Sequence, residues 1–353
     1  MTNLEKLCAP LKEGEGALIT DEINRRYFTD FPSSDGFLFA FKDGAVFATD
    51  SRYIEAAQKK IKNCQVLETG VNARVKNIAE KHGCKKIYIQ SETTTVSQLR
   101  SYEKSLSDFE IISDDTLDNM ISDLRMVKSE EEKEKIIKAQ RIAEKAFEHI
   151  LSFIKPGVSE KDISLELDFF MLRNGAEALS FETIAVSGKN SSMPHGVPGE
   201  KKIENGDFIT MDFGAVVDGY HSDMTRTVAV GSVSEKQRSI YNIVLRAKNA
   251  CLAGLKEGIT GKEADAIARD IIAAEGYGKY FGHGTGHGVG VEIHEKPNLS
   301  PRNEKPLKRG EIVTVEPGIY LPGEFGVRIE DMAFITSDGC ENLTKAPEEL
   351  IIL

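Results

Sequence analysis

The chain has no tryptophan, only five cysteines and fewer basic than acidic residues. Cys8, Cys64, Cys84, Cys251 and Cys340 are odd in number, irregularly spaced and form no CxxC pair. That excludes a disulfide framework and a thiolate zinc site, and it fits reduced thiols in a cytosolic protein. With 45 basic against 56 acidic residues the net charge is −11; such a surface repels a phosphate backbone, so no nucleic-acid partner is expected. No apolar run approaches the ~18 residues a membrane span needs, and the opening "MTNLEKLCAPLKEGEG" lacks the apolar core of a secretory signal. A soluble, cytoplasmic protein with no membrane contact is expected.

What is present is a globular composition, 40% apolar and 29% charged over 353 residues, long enough for about two domains. Near the middle, Ser129 followed by Glu132 forms a capping box. Ile136, Ala139, Ala143, Ala146, Ile150 and Ile154 then recur at three- or four-residue steps until Pro156-Gly157. This spacing predicts a long amphipathic helix, preceded by a less regular "SDDTLDNMISD". The domain boundary is placed there, giving 1–125 and 126–353. Upstream, "GFLFAFKDGAVFATD" predicts two strands about a Lys42-Asp43-Gly44 turn, and "YIEAAQKKI" and "VNARVKNIAEKHG" predict helices. The first domain is expected to be small and mixed α/β.

The second part repeats itself. "IKPGVSEKDI…NG" from Ile154 and "LKEGITGKEA…EG" from Leu255 align at a constant offset of 101, matching Lys155 with Lys256, Gly157 with Gly258, Lys161 with Lys262 and Gly175 with Gly276. Ser159 and Thr260 fall at equivalent positions, each suited to cap the following helix. Two halves of one design imply a pseudo-twofold domain with a site where the halves meet.

Three of the seven histidines lie in "GHGTGHGVGVEIHE", residues 282 to 295. The stretch has neither the GxGxxG register nor a Walker lysine, and its glycines disfavour the helix on which a zincin would place His283 and His287. A loop or strand with bare backbone is expected, open to close approach. Carboxylates come from elsewhere. In "FITMDFGAVVDGYHSDMTRTVAV" an Asp218-Gly219 turn pairs Val217 with Tyr220, which sets Asp223 opposite Gly214 and diagonal to Asp212 on one face. His221 would face the same side but is assigned a packing or surface role, as are His82 and His149. In "EIVTVEPGIYLPGEFGVRIEDMAFIT" Glu316 closes a β-rich run before Pro317. Glu330 is expected in the returning strand, facing the same way as Arg328 and opposite to Asp331. Tyr320 could serve the site or the core. Asp212, Asp223, Glu316 and Glu330 carry a charge that two divalent cations would balance, and with one imidazole they form an oxygen-dominated set suited to manganese, cobalt or iron at least as well as zinc.

With "NRRYFTDF", "ATDSRY", "LRMVKSEEE", "SSMPHG", "MDFGAVVDGYHSDMTRT", "HGTGHGVGVEIHE", "VEPGIY" and "GVRIED" in this order, the chain resembles the pita-bread metallopeptidases, specifically the Xaa-Pro peptidases (aminopeptidase P and Xaa-Pro dipeptidase, or prolidase). The resemblance implies an α+β protein: a creatinase-like N-terminal domain, then a pseudo-twofold pita-bread catalytic domain. It implies two divalent ions, manganese first and cobalt, iron or zinc as alternatives, on Asp212, Asp223, His287, Glu316 and Glu330, with Asp223 and Glu330 between the ions. His195, His283 and His294 would contact substrate and the tetrahedral intermediate, and Arg328 would order Glu330 or meet the substrate. The implied reaction is attack of hydroxide on the carbonyl before proline in Xaa-Pro dipeptides or at peptide N-termini, with Glu316 shuttling the proton, in a homodimer. One departure is "YFTDFPSS", with Asp30 and Pro32 where the family usually has glycine and threonine. Relatives that only bind partners, and a metal-free creatine amidinohydrolase, are alternatives against which the complete ligand set argues. Methionine aminopeptidases would not need the first domain.

Overall fold

The Ser129 hydroxyl accepts the Glu132 N–H, the Glu132 carboxylate accepts the Ser129 N–H, and the helix Glu130–Phe153 begins there. Ile136, Ala139, Ala143, Ala146 and Ile150 are all wholly buried along one stripe. At about 1.5–3 kcal/mol for each large apolar side chain, this stripe rather than intrinsic propensity holds the helix in place. The computed structural model describes residues 1–70 and 74–353, which form two units, Met1–Arg125 and Met126–Leu353.

The first unit is built on a six-stranded mixed sheet in the order Gln65–Glu68, Gly44–Thr49, Phe37–Phe41, Glu15–Ile19, Lys86–Ile89, Glu110–Ile112. The hairpin Phe37–Phe41/Gly44–Thr49 and the helix Ile54–Lys60 fall where the pattern predicted them. Of the predicted helix "VNARVKNIAEKHG", Val75–Lys81 is helical, and residues 71–73 lie outside the described residues. "SDDTLDNMISD" is not irregular: Thr116–Met126 is a helix. Its polar run hides Leu117 and Ile121, one turn apart and buried, and the Asp118 carboxylate accepts the Ser91 N–H and hydroxyl. Asp30 caps the helix Glu22–Thr29 in the left-handed region, φ 54°, a conformation that favours glycine and tolerates aspartate.

The second unit realises the repeat. Ser159 and Thr260 cap the helices Glu160–Arg173 and Gly261–Ala274, each of 14 residues and each with a complete capping box. Gly157 and Gly258 both adopt positive φ, 92° and 88°, and their N–H groups reach the carbonyls of Ile203 and Leu307. Each helix packs on a longer one, Glu130–Phe153 in the first half and Glu235–Gly254 in the second. Two cores result, one around Phe147, Leu167, Met171 and Met211, the other around Tyr241, Ala268, Val313 and Val327. Each half adds a sheet. The first is Met224–Ala229, Phe208–Phe213, Ile184–Ser187; the second runs Glu295–Leu299, Gly286–Gly288, Ile312–Val315, Asp331–Ile335, Cys340–Asn342.

Candidate metal centre

Asp218, at φ 51°, and Gly219, at φ 80°, make the tight turn, and Val217 pairs with Tyr220. The same register resumes in the strands Phe208–Phe213 and Met224–Ala229, where Thr225 faces Asp212. Asp212 and Asp223, diagonal across it, both line one cavity of about 540 Å³. Glu316 follows the strand Ile312–Val315 directly, as expected from Pro317, and its N–H donates to the Thr285 carbonyl at 2.8 Å. Within the glycine stretch Gly286–Gly288 is a strand, and the strand Glu295–Leu299 begins at its last residue. A Cβ on Gly286 would lie 1.9 Å from the Thr314 carbonyl oxygen, so the bare backbone is what lets this strand, and His287 with it, press against the acidic wall.

Glu330 does not lie within the returning strand. One strand, Phe325–Arg328, ends before it and another, Asp331–Ile335, starts after it. The chain breaks there because the Glu330 N–H is drawn to the Thr225 carbonyl at 3.1 Å. Glu330 nevertheless lines the cavity beside Arg328, while Asp331 turns the other way into a buried cluster with Arg226 and Lys248. Arg328 orders Asp212 rather than Glu330, donating to Asp212 Oδ2 at 2.6 Å. It reaches Glu330 only through Thr225, whose hydroxyl accepts from Arg328 Nε and donates to Glu330 Oε2 at 2.7 Å.

The cluster is short of positive charge. Single oxygen or nitrogen atoms of Asp223, His287 and Glu330 lie within 4.8 Å of one another, and His287 Nε2 is 3.4 Å from Glu316 Oε1. Burial, then the neighbouring Glu330, Asp212 and Glu316, hold the Asp223 carboxyl well above the ordinary carboxylate range. Burial, then Glu316 and Asp212, do the same to Glu330. Glu316 is pushed up to about 8, mainly by burial. Asp212 Oδ1 is buried without a hydrogen-bond partner. His287 Nδ1 lies 3.1 Å from the Gly288 carbonyl, which can only accept. The ring therefore carries its proton on Nδ1 and turns the Nε2 lone pair to the acids, and burial keeps it neutral by lowering its pKa to about 4. Buried anions repel unless something positive joins them. A lone imidazole pair, an unsatisfied carboxylate oxygen and three carboxyls raised together are a set of donors that could hold a divalent cation.

The three remaining histidines of the candidate site, His195, His283 and His294, all line the cavity. Arg328 Nη1 donates to the Tyr320 hydroxyl, so that hydroxyl passes its own proton to His283 Nε2 at 2.9 Å, and His283 Nδ1–H meets the Gly284 carbonyl. Both nitrogens of His283 are thus engaged. The rings of His195 and His294 have no hydrogen-bonding partner among the described residues, and His294 stands edge-on to His287 at 4.4 Å between centroids. His221 is half-buried and does not line the cavity. His82 stacks on Phe41, and His149 stacks on Phe170 and pairs with Glu166. Sequence reasoning left Tyr320 open and missed Thr225, although its position two residues after Asp223, near the start of the strand Met224–Ala229, was a usable signal. Nothing in the pattern pointed to Asn298 and Ser300, which complete the cavity wall.

A doubled helix-and-sheet unit with buried carboxylates and a neutral imidazole at the floor of a cavity defines a metal-dependent hydrolase. The family model "Metallopeptidase family M24" matches residues 134–337, and "Creatinase/Prolidase N-terminal domain" matches residues 5–127. The chain belongs to metallopeptidase family M24, with a creatinase-type N-terminal domain. It is 48% identical over 235 residues to the Xaa-Pro dipeptidase of Pyrococcus furiosus, covering 67% of this chain and 68% of the relative. Among solved structures it is similar to a Xaa-Pro dipeptidase from Bacillus anthracis, with TM-score 0.94, 46% identity and 99% of each chain covered. It is also similar to an X-Pro aminopeptidase from Thermotoga maritima, with TM-score 0.90, 36% identity and 96% and 97% covered. The protein is therefore a prolidase-like metallopeptidase with the pita-bread fold that its motifs implied. Among the described residues no helix is long and apolar enough to cross a membrane.

Proposed function

We propose that the chain hydrolyses the bond before proline, in Xaa-Pro dipeptides or at the N-terminus of longer peptides, with two divalent ions held by Asp212, Asp223, His287, Glu316 and Glu330. The observation that carries this reading is the cation-deficient cluster itself. Ions bound there would supply a water acidic enough to attack at neutral pH and an electrophile for the scissile carbonyl. The remaining work belongs to side chains. Asp223 and Glu330, flanked by acids on both sides, take the central positions, and Arg328 and Thr225 keep Asp212 and Glu330 in fixed rotamers. Glu316, ionised beside the attacking water, takes its proton and returns it to the proline nitrogen, which must leave as an amine. His195 and His294, with nitrogens uncommitted, donate to the oxyanion and orient the peptide. His283 acts with Tyr320 as one hydrogen-bonded pair.

Oxygen-rich donors favour manganese as the first ion, and five free thiols suit a reducing cytoplasm; a homodimer is proposed from the family resemblance. The test is to strip purified protein with chelator, reload it with manganese or cobalt, and offer Ala-Pro and Ala-Pro-Ala. Metal-restored cleavage mainly of Ala-Pro makes it a dipeptidase, and preference for the tripeptide makes it an aminopeptidase. Cleavage of neither, with metal bound, contradicts the reading and returns the binding-only and creatinase-like alternatives.

A further inference from the structure

The cavity's histidine-bearing loop is held from behind by two residues that no part of the reaction scheme uses. On the helix Gly261–Ala274, Asp265 and Arg269 lie one turn apart and pair through two contacts, Nε to Oδ2 at 2.6 Å and Nη2 to Oδ1 at 2.8 Å. The guanidinium also donates to the Phe281 carbonyl at 3.0 Å and to the His283 carbonyl at 2.7 Å. Asp265, which is 1% exposed, accepts both the N–H and the hydroxyl of Thr285 at 2.9 Å. The Thr285 carbonyl in turn takes the N–H of Glu316. Alternate residues of the loop are thus fixed to one helix, and the last of them fixes the backbone of a carboxylate of the cluster.

The other half of the repeat carries the same grip. At the offset of 101, Ser164 and Asp168 occupy the positions of Asp265 and Arg269. Ser164 donates to the Thr183 carbonyl at 3.4 Å, and the Thr183 hydroxyl donates to Asp168 at 2.5 Å. Thr183 belongs to the opposite cavity wall. Each half therefore hangs its wall from its own helix by a buried threonine, and only the second half adds an arginine that spans two carbonyls of a glycine-rich segment. A backbone this rich in glycine loses the most freedom on ordering, so an external clamp has the largest effect here.

We propose that Asp265, Arg269 and Thr285 are positioning residues for catalysis: the clamp fixes the His283 ring against Tyr320 and sets the Glu316 backbone, without touching substrate. The proposal rests on the peptidase reading above. It is tested on full-length manganese-loaded protein with Arg269→Gln, Arg269→Lys, Thr285→Val and Thr285→Ser. The measurements are kcat and KM on the preferred Xaa-Pro peptide, bound manganese per chain, thermal midpoint, and, with diamagnetic zinc loaded in place of manganese, the ¹⁵N resonances of the His283 ring. Arg269→Gln and Thr285→Val are expected to lower kcat tenfold or more, with KM changed less than threefold, manganese content unchanged and the His283 resonances shifted. Thr285→Ser, which keeps the hydroxyl, restores kcat. Arg269→Lys keeps the charge against Asp265 but cannot span both carbonyls, so it loses kcat while staying folded even if Arg269→Gln does not. Wild-type kcat in folded variants, a loss that only follows lost manganese, or unmoved His283 resonances would overturn the clamp. A wild-type protein that cleaves no Xaa-Pro bond removes the catalytic role together with the peptidase reading. Clamp failure differs in leaving wild-type cleavage intact.

Discussion

Removing the ions should reverse the pH dependence of stability. In the metal-free protein Glu316 titrates near 8 instead of 4.5 because it is buried, and Asp223 and Glu330 are displaced upward for the same reason and by one another. A carboxyl raised on folding gives its stabilisation below its unfolded pKa and loses it as pH rises through the folded value. Between about pH 8.5 and about pH 7 the folded chain takes up proton that the unfolded chain does not, worth about 1 kcal/mol for a group titrating near 8. Asp223 and Glu330, displaced in the same direction, add to this, and Glu316 alone moves the thermal midpoint of a unit this size by roughly 2–4 °C. His283 and His287, with pKa values lowered to about 4 by burial, oppose this as the pH falls into the ordinary histidine range, which sets the lower end of the window. With ions bound the ligands must be ionised, so stability holds or rises with pH. Calorimetry of chelated and manganese-loaded protein at the two pH values decides it. A chelated midpoint that stays level or drops on acidification, or the same rise in both forms, refutes the electrostatic account of the cluster.

Glu330→Gln keeps the acceptor for Thr225 while removing one buried charge, so it should raise the chelated midpoint by a few degrees at about pH 8 and abolish stabilisation by manganese, otherwise about 2.7 kcal/mol at a hundredfold excess over Kd. Arg226→Met removes a guanidinium that donates to Asp331 and to the carbonyls of Glu330, Ala346 and Pro347. A loss of about 3–5 kcal/mol is expected in urea unfolding, and less than 1 would show that the buried cluster is not structural. Gly286→Ala puts a methyl group onto the Thr314 carbonyl, and it should lower the midpoint and reduce manganese affinity at least tenfold, as read by isothermal titration.

Much of this was legible because the informative residues are local punctuation. Asp218-Gly219 fixed a register, and the register alone made Asp223 and Asp212 diagonal neighbours; the offset between Ile154 and Leu255 revealed two halves before any coordinate. Where alternation was extended past a break it failed in detail: Glu330 was placed within a strand, whereas its N–H is captured by Thr225, a long-range contact no local pattern contains. The helix Thr116–Met126 was hidden because only Leu117 and Ile121 mark its buried face amid polar residues. Asp265 and Arg269 are visible in sequence as a helical ion pair, but what they hold lies across the fold.

The most direct test of the central claim is a crystal of the protein soaked with manganese, with diffraction recorded for the anomalous signal of that element. Two peaks inside the ring formed by Asp212, Asp223, His287, Glu316 and Glu330, lost when Glu330→Gln is crystallised the same way, are the predicted result. Full occupancy elsewhere, or an empty cluster in protein that cleaves Xaa-Pro bonds, would contradict it.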